Sequence, residues 1–399
     1  MTQSATPRAG LPLNLPAVDE ISAAHSKKVE AHLLSRIAAT PDGLLPFETW
    51  MSEALYSPGL GYYAAGNIKF ASERATGDFT TAPEMTPLFG RVVARQVAEI
   101  LEATGTSQIL EFGAGTGALA AAIIPALRDM GLEVRYQILE VSSDLAGRQA
   151  QRLEPLGAQV EWLTALPDEF RGCVLANEVL DAMPVTLFRW NESGELMELC
   201  VKAQPESSPP FDWAERPASA ALQHTVARRM PALPGYRSEL NLQAEAWVKQ
   251  LGKWLKSGAA LLIDYGFPQR EYYHPQRSAG TLMCHFRHHS HDHPLVLAGI
   301  QDITAHVDFT AMADAALEGG MDVLGYTTQA RFLLNAGLPQ LLENEVGKSD
   351  PQATNATLSA VQKLISEAEM GELFKVLAVG RDITPPLLGF TRGDRRDTL

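Results

Sequence analysis

The sequence is poor in cysteine, which limits the kinds of fold and site that it can encode. Its 399 residues contain three cysteines, Cys173, Cys200 and Cys284, which are odd in number and far apart. No C-x-x-C pair is present, so neither a disulfide framework nor a zinc ribbon is encoded. We therefore expect a reducing, cytoplasmic setting.

Positive charge is also scarce. The 33 lysines and arginines are outnumbered by 47 aspartates and glutamates, which gives a formal net charge of -14. Because binding to the phosphates of a nucleic acid needs a basic face, we expect no nucleic-acid partner. The excess of acid is compatible with a basic peptide or a guanidinium substrate, although it also serves solubility alone.

Long apolar runs are missing as well. No uninterrupted stretch approaches the roughly 20 apolar residues that a membrane-spanning helix requires, so we expect no membrane insertion. Residues 1–20 are rich in proline, lack the apolar segment of a secretory signal and make a poor transit peptide. With 46% hydrophobic and 20% charged residues, the composition is that of an ordinary globular protein.

One glycine-rich stretch predicts a site for a nucleotide-like ligand. The run 109–112 leads into Gly113, Gly115 and Gly117, which stand at alternate positions before an alanine-rich helix. This order is typical of a buried strand, a tight turn and a helix N-terminus in a doubly wound sheet. A side chain on these glycines would keep the backbone from approaching a ligand closely.

Two classes of ligand compete for this turn. Gly113, Gly115 and Ala118 also satisfy the G-x-G-x-x-(G/A) pattern of NAD and FAD sites. Gly117 favours S-adenosylmethionine (SAM), since it gives an uninterrupted G-x-G-x-G. Glu111 favours it too, because a carboxylate suits the amino group of SAM and would repel a pyrophosphate. We therefore predict SAM as the cofactor.

Strands and helices alternate from Gln108 onward. The predicted strands are 109–112, 136–140, 160–163, 173–176, 259–264, 322–326 and 374–379. The predicted helices of this part are 116–129, 143–154, 240–256, 308–317, 328–336 and 353–368. Such alternation predicts an α/β domain with a parallel sheet that binds ligands at the carboxyl ends of its strands.

The remaining segments carry weaker signals. Helices are predicted at 29–38, 44–55 and 88–103 from their apolar spacing. Residues 186–202 are typical of a hairpin, and the Pro/Ser-rich stretch 205–217 is typical of a surface excursion.

Glu140 ends the second predicted strand. A nucleotide-binding sheet places there the acid that binds both ribose hydroxyls, which fits SAM or NAD and disfavours NADP. The alternative interpretation is an exposed acid that caps the helix 143–154.

The segment 177–184 follows the fourth predicted strand, where the reactive end of a cofactor would lie. If a helical turn begins there, Glu178 and Asp181 are three residues apart and face the same side. Two carboxylates could then bind a guanidinium and localise lone-pair density on one nitrogen, as methyl transfer to arginine requires. The alternative is that they cap a helix at its positive end.

Histidines are concentrated near residue 290. Five of the ten lie within nine residues, beside Cys284 and Asp292: His285, His288, His289, His291 and His293. The pattern at 281–286 is extended, so neighbouring side chains would point to opposite faces, and no second Cys/His cluster exists. We therefore predict no metal site, and favour contacts of a polar loop or a substrate groove.

His306 lies in a segment where polar and apolar residues alternate, ahead of Asp308 at a predicted helix N-cap. It could be a base, but methyl transfer driven by a sulfonium leaving group often needs only modest proton removal. Orientation of the site and a purely structural role are equally open interpretations.

Six blocks are similar to one known family. They are Ser57-Pro58-Gly59-Leu60-Gly61-Tyr62-Tyr63, Gly77-Asp78-Phe79-Thr80-Thr81-Ala82-Pro83-Glu84, Glu111-Phe112-Gly113-Ala114-Gly115-Thr116-Gly117, Asn177-Glu178-Val179-Leu180-Asp181-Ala182-Met183-Pro184, Asp264-Tyr265-Gly266 and Gln301-Asp302-Ile303-Thr304-Ala305-His306-Val307-Asp308-Phe309. In this order the chain resembles the MidA-like SAM-dependent methyltransferases from about Ser26 to Arg381. The glycine block is common to many methyltransferases, whereas the second, fourth and sixth blocks are specific.

The resemblance implies an α/β fold: a Rossmann-like, seven-stranded SAM methyltransferase sheet with an N-terminal helical region and helical and loop insertions. It divides the chain into a disordered lead-in (1–25), a helical region with a cofactor-covering loop (26–105), a methyltransferase domain (106–385, with insertions at about 186–237 and 269–305) and a C-terminal tail (386–399).

The resemblance also implies roles for individual residues. Those expected to bind SAM are Glu111, Gly113, Gly115, Gly117 and Glu140, with Gly77, Asp78 and Thr80 near the same pocket. Those expected near the transferred methyl are Asn177, Glu178 and Asp181, with His306 as a further catalytic candidate.

The implied activity is ω-N-methylation of an arginine in a protein substrate, giving the symmetric dimethyl product. The resemblance suggests a respiratory NADH dehydrogenase subunit as the acceptor, and complex I assembly as the process that the methylation serves. A small-molecule methyltransferase on the same fold and a non-catalytic assembly factor are the alternatives. The sequence does not fix the oligomeric state, for which a homodimer is the candidate.

Overall fold

The computed structural model describes residues 15–65, 81–157, 159–347 and 350–399. The chain divides into two compact units. The N-terminal unit takes the described residues within 1–79, 181–243 and 269–306, and the sheet unit takes those within 80–180, 244–268 and 307–399. No helix of the described residues is long and apolar enough to cross a membrane.

The regular elements cover most of the described residues. The helices are α1 (Glu20–Ala38), α2 (Phe47–Tyr56), α3 (Ala82–Met85), α4 (Pro87–Thr104), α5 (Ala118–Asp129), α6 (Ser143–Leu153), α7 (Ala220–Arg229), α8 (Leu242–Trp254), α9 (Gln269–Tyr272), α10 (Phe309–Glu318), α11 (Gln329–Asn335), α12 (Leu338–Val346), α13 (Pro351–Ile365) and α14 (Met370–Leu373). The strands are β1 (Leu44–Pro46), β2 (Gln108–Phe112), β3 (Arg135–Leu139), β4 (Gln159–Leu163), β5 (Phe170–Asn177), β6 (Thr186–Trp190), β7 (Leu196–Ala203), β8 (Phe211–Pro217), β9 (Arg237–Leu240), β10 (Leu255–Phe267), β11 (Met283–Phe286), β12 (His289–His291), β13 (Asp302–Thr304), β14 (Val307–Asp308), β15 (Asp322–Thr328) and β16 (Phe374–Arg381).

The sheet unit is built on one sheet in the order β15-β16-β10-β5-β2-β3-β4, with the two-residue β14 paired beside β10. The strands from β10 to β4 are parallel, and β16 runs antiparallel to both of its neighbours. The predicted α/β fold with a largely parallel sheet is confirmed. The sheet has eight strands by this pairing, because β14 joins the seven of the main path.

The central strands are apolar on both faces, as expected where helices cover a parallel sheet. In the register of β2 and β5, Ile109 lies beside Cys173 and Leu110 beside Val174, and all four side chains are buried. The helix α4 packs on this core with its apolar face, and the hydroxyl of Thr86 caps it by accepting a hydrogen bond from the N–H of Leu88.

The N-terminal unit has two smaller sheets. One has the order β1-β7-β6-β9, with β8 also paired to β7, and the other has the order β12-β11-β13. Its core contains an aromatic group in which Phe47 lies 5.3 Å from Trp213 and Trp50 lies 6.0 Å from Phe211, measured between ring centroids. Aromatic side chains at such distances make favourable edge and tilted contacts.

Several predicted elements differ from the observed ones. The first helix begins earlier, at Glu20, and the helix expected at 44–55 begins at Phe47, since residues 44–46 pair with β7 instead. The predicted surface excursion 205–217 is wrong for its second half, because β8 buries Phe211 against the core. The helix α12 was not predicted.

The boundaries of the two units also differ from the predicted domain boundaries. The helix α4 belongs to the sheet unit, although 26–105 was expected to form one N-terminal region. The expected insertions 186–237 and 269–305 belong to the N-terminal unit, where they supply strands and buried apolar residues.

Gly258 in β10 is a position where only glycine fits. Its φ is +123°, and a Cβ there would overlap the carbonyl oxygen of Gly172 on the neighbouring β5. We expect Gly258→Ala to lower the free energy of unfolding by about 3 kcal/mol or more, because it combines backbone strain with overpacking. Urea titration monitored by circular dichroism measures this change.

Gly147 provides the matched control, because a Cβ there meets nothing within 4 Å in the middle of α6. Gly147→Ala should raise the stability by about 0.5–1 kcal/mol, since alanine favours the helix. Equal effects of the two substitutions would contradict the steric argument for β10.

Candidate functional site

The predicted glycine turn has the backbone geometry that a close ligand needs. It follows β2 directly, and Gly113, Gly115 and Gly117 have φ values of +59°, +54° and +82° before α5 begins at Ala118. Residues other than glycine rarely adopt this conformation. A Cβ on Gly115 would meet no described atom within 4 Å, so the backbone faces open space at this point.

The turn lies where the direction of chain winding changes. The strands β2 and β5 are neighbours at the centre of the sheet. From β2 the chain continues to β3 and β4 on one side, and from β5 it continues to β10 on the other. Open α/β sheets bind ligands outside the carboxyl ends of the strands at such a switch point.

Glu111 lies at the end of β2 and is almost fully buried, with 3% of its surface exposed. Its carboxyl accepts a hydrogen bond of 2.7 Å from the hydroxyl of Tyr136. Burial raises the pKa of Glu111 to about 7; the Tyr136 hydrogen bond opposes this rise, and the nearby Glu140 adds to it. The charge that the sequence argument assigned to this group is therefore partial near neutral pH.

Glu140 follows β3 at the same edge of the sheet. Its Oε1 accepts a hydrogen bond from the backbone N–H of Ser142 at 2.9 Å, and its Oε2 accepts one from Gln149 Nε2 at 3.0 Å. Burial raises the pKa of the Glu140 carboxyl, while these donors lower it in part. Glu140 does not cap α6, because Ser142 is the N-cap and accepts from the N–H of Leu145.

Gln149 in α6 was not predicted as part of the site. It is fully buried, and its Nε2 also donates to the carbonyl oxygen of Gly115 at 2.8 Å. Its Oε1 accepts a hydrogen bond from the indole of Trp162 at 2.8 Å. One amide thus connects the glycine turn to Glu140, and no sequence pattern marks a glutamine in a polar helix for this role.

The residues Asn177 and Glu178 lie at the carboxyl end of β5, beside the glycine turn: a Cβ on Gly113 would come within 3.2 Å of Val179 Cγ2. Asn177 Nδ2 donates to Glu178 Oε1 at 3.2 Å. Asn177 Oδ1 is buried and has no hydrogen-bond partner among the described residues. This edge therefore carries an amide and a carboxylate in contact.

The helical turn proposed for 177–184 is wrong. The segment forms bends and a turn, and Glu178 has a φ of +53°, which is uncommon for a residue with a side chain. Contacts with β10 hold it in place: the N–H of Glu178 donates to the carbonyl of Ile263 at 2.9 Å, and the N–H of Leu180 donates to Asp264 Oδ2 at 3.0 Å. Strained backbone of this kind is frequent at functional sites.

Asp181 and His306 belong to the N-terminal unit, whereas Glu178 belongs to the sheet unit. The Asp181 carboxyl is buried, and its backbone carbonyl accepts a hydrogen bond from the N–H of Ala305 at 3.0 Å. The N–H of His306 donates to the hydroxyl of Thr281 at 2.9 Å. These contacts bring Asp181 and His306 into one neighbourhood of this unit.

Two further predicted groups have different outcomes. Gly77, Asp78 and Thr80 lie outside the described residues. Four of the five clustered histidines (His288, His289, His291 and His293) line a cleft of about 510 Å³ in the N-terminal unit around β12, together with Leu15, Ser290 and Asp292. Burial lowers the pKa of His291 to about 4. Within the described residues, no three His, Cys, Asp or Glu side chains are placed to hold a metal ion.

A comparison with models of protein families matches residues 92–327, more than half of the chain, to the family described as "Putative S-adenosyl-L-methionine-dependent methyltransferase". The chain belongs to this family. The prediction of a MidA-like methyltransferase and of SAM as its cofactor is therefore confirmed.

Members and relatives of this methyltransferase family align along most of the chain. A protein from Burkholderia thailandensis, whose crystal structure contains bound S-adenosyl-homocysteine, is 46% identical, with a TM-score of 0.89 over 97% of this chain and 100% of that one. The protein arginine methyltransferase NDUFAF7, mitochondrial, of Danio rerio is 29% identical over 90% of this chain and 88% of its own length. Its Homo sapiens counterpart is 28% identical over 87% and 82%, respectively.

The sheet unit of this methyltransferase fits SAM. Three left-handed glycines at alternate positions leave open space at Gly115, Glu111 is next to the last residue of β2, and Glu140 directly follows β3. The buried acceptor Asn177 Oδ1 lies at the end of β5. The acids suit the cationic amino group and the ribose hydroxyls of such a ligand, and the amide oxygen suits its other hydrogen-bond donors.

Glu111 should make the stability of this protein depend on pH. Its pKa rises from an ordinary value near 4.5 to about 7 on folding, so the folded state favours the protonated carboxyl. Stability due to this group is therefore fully present below pH 4.5 and is lost as the pH rises through 7. Glu111→Gln removes this loss, and we expect the variant to gain about 3 kcal/mol relative to the wild type between pH 4.5 and 8.

Urea unfolding of both proteins at pH 5 and pH 8, without cofactor, measures this difference. Comparing the pH dependence of the variant with that of the wild type cancels the contribution of all other titrating groups. The same pH dependence in both proteins would show that Glu111 ionises normally in the folded state.

Proposed function

We propose that this methyltransferase transfers methyl groups from SAM to the guanidinium of an arginine in a protein substrate. The observation that carries the proposal is the contact of Asn177 with Glu178 at the carboxyl end of β5, beside the glycine turn. Relatives named as protein arginine methyltransferases, aligned over 87–90% of this chain, support it. The strained backbone of Glu178 supports the proposal further, because residues with strained backbone are concentrated at functional sites.

The cofactor would be bound by the residues at the ends of β2 and β3. Glu111 would face the amino group of SAM, Gly113, Gly115 and Gly117 would admit the ligand close to the backbone, and Glu140 would accept hydrogen bonds from the ribose hydroxyls. Gly77, Asp78 and Thr80 remain candidates for the same pocket by resemblance alone. When bound, SAM supplies an electrophilic methyl group on a sulfonium sulfur.

Glu178 would orient the acceptor. A carboxylate forms two charge-assisted hydrogen bonds with a guanidinium and keeps lone-pair density on the nitrogen that is not engaged. Asn177 would assist, because its Nδ2 donates to Glu178 Oε1 and so limits the rotation of that carboxylate. Asp181 and His306, which are neighbours in the N-terminal unit, are proposed to bind or orient the acceptor chain.

The acceptor and product are proposed from the resemblance. Symmetric dimethylation of an arginine in a respiratory NADH dehydrogenase subunit is the specific form of the proposal. The three cysteines are free thiols, in keeping with the reducing, cytoplasmic setting that we proposed from the sequence.

The proposed function leads to two predictions, and the first concerns Gln149. Gln149→Glu removes the donor to the Gly115 carbonyl and places a second carboxylate against Glu140. We expect SAM to bind about ten-fold more weakly or worse. Isothermal titration calorimetry with SAM measures this. Gln151→Glu is the matched control on the exposed side of the same helix, and it should bind like the wild type. Equal affinities for SAM in all three proteins would remove Gln149 from the cofactor site.

The second prediction concerns methyl transfer. Glu178→Gln keeps the shape of the side chain but loses its charge, so we expect it to bind SAM normally and to transfer methyl groups roughly a hundred-fold more slowly. Glu169→Gln, exposed at the opposite end of β5, should be fully active. The assay follows labelled methyl from SAM into proteins of a cell extract.

Mass spectrometry of the labelled proteins identifies the acceptor. Two added methyl groups on one arginine would support the proposal. A fully active Glu178→Gln would exclude this carboxylate from the transfer. Labelled small molecules without any labelled protein would contradict the arginine proposal and favour the small-molecule alternative.

A further inference from the structure

Three tyrosines form a partly exposed aromatic cluster in the N-terminal unit. The rings of Tyr56 and Tyr63 are stacked with centroids 5.4 Å apart, and the ring of Tyr62 meets Tyr63 edge-on at 5.0 Å. All three side chains retain contact with solvent, unlike the aromatic group around Trp50 in the core of the same unit. The cluster therefore packs on the core of the unit with one part of its surface, while another part stays exposed.

Two acidic residues lie beside this cluster. The Tyr63 hydroxyl donates to Asp302 Oδ1 at 2.8 Å, and Asp302 is itself partly exposed. The pKa of Tyr63 is raised well above its ordinary value, first by burial and then by the negative charge of Asp302, with smaller effects from the neighbouring tyrosines and Asp181. Among the described residues, the charged side chains that act on Tyr63 in this way are Asp302 and Asp181, and both are anionic, so the aromatic faces lie next to negative charge.

The backbone holds the cluster in a fixed arrangement. The N–H groups of Tyr62 and Tyr63 donate to the carbonyls of Ala54 and Leu55 at 3.0 and 2.9 Å, which fastens the tyrosines to the end of α2. Only glycine fits at Gly61, since a Cβ there would overlap the backbone of Leu55.

A second set of contacts ties the cluster to the rest of its unit. The Tyr56 hydroxyl donates to the carbonyl of Ala182 at 2.9 Å, next to Asp181. Asp302 is the first residue of β13, whose pairing with β11 fixes its position. The rings and carboxylates are thus pre-organised, which reduces the entropy cost of binding a ligand.

We propose that Tyr56, Tyr62, Tyr63 and Asp302 form a subsite for a guanidinium group on the acceptor protein. A planar cation is attracted to aromatic faces and can at the same time form hydrogen bonds with a carboxylate. Arginine fits this combination better than lysine does, because its guanidinium stacks and presents a fork of donors. The inference rests on the proposed function, since it assigns the substrate class of a protein arginine methyltransferase to named residues.

The test measures binding separately from catalysis. The probe is a blocked pentapeptide with arginine at its centre between glycines, titrated into the full-length protein by isothermal calorimetry in low salt. A citrulline peptide of the same shape but without charge and a lysine peptide are the comparisons. We expect the arginine peptide to bind at least about ten-fold more tightly than either.

Two variants locate the binding. Asp302→Asn keeps an acceptor for the Tyr63 hydroxyl and removes the charge, while Tyr62→Leu removes one aromatic face. Both should abolish the preference for arginine over citrulline while leaving SAM binding intact, which reports on folding. Asp292→Asn, an exposed acid of the same unit, is the matched control and should keep the preference. Equal binding of arginine and citrulline peptides to the wild type would overturn the subsite, as would an unchanged preference in both variants.

The result can be separated from that of the proposed function. Methylation of a protein arginine with no effect of Asp302→Asn or Tyr62→Leu on peptide binding would refute the subsite and leave the proposed function standing. A preference for arginine that these variants abolish, without any arginine methylation, would support the subsite and refute the proposed function. Lysine binding as tight as arginine binding would contradict the assignment to a guanidinium.

Discussion

The pairing of β2 with β5 at the centre of the sheet is the constraint on which the rest of the site depends. Because the two strands are parallel and the chain continues from them to opposite sides of the sheet, their carboxyl ends lie side by side at the point where the direction of winding changes. The glycine turn follows one strand, and Asn177 is the last residue of the other. A ligand bound at this switch point therefore meets glycine backbone at the end of β2 and polar side chains at the end of β5.

Burying acids at this edge costs free energy, and the structure offsets only part of that cost. Glu111 has one strong donor, Tyr136, whereas Glu140 has the N–H of Ser142 and the amide of Gln149. In both acids burial outweighs the donors, so both pKa values are raised. In the proposed function, the amino and hydroxyl groups of bound SAM would supply the missing compensation, and cofactor binding would be coupled to the ionisation of these acids.

Local patterns in the sequence predicted the parts of this site that depend on local geometry. The glycine turn, the strands around it and the acid after β3 were found because alternating glycines and apolar runs each have a direct conformational meaning. The contacts of Gln149, Tyr136 and Asp264 were not predicted, because they join elements that are distant in the sequence. The helical turn at 177–184 was wrong for the same reason: hydrogen bonds to β10 override the local preference of the segment. The strand β8 was missed because proline and serine before it suggested a loop.

The segment 177–184 contributes residues to both units. Glu178 directly follows β5 of the sheet unit, while Asp181 belongs to the N-terminal unit. Each acid then has its own partners, since Glu178 is held by Asn177 and β10, and Asp181 lies beside Ala305 and the tyrosine cluster. One short motif therefore contributes to two units with different surroundings. Glu178 is proposed to orient the acceptor guanidinium and Asp181 to bind the acceptor chain, and these two roles place separate demands on the two carboxylates.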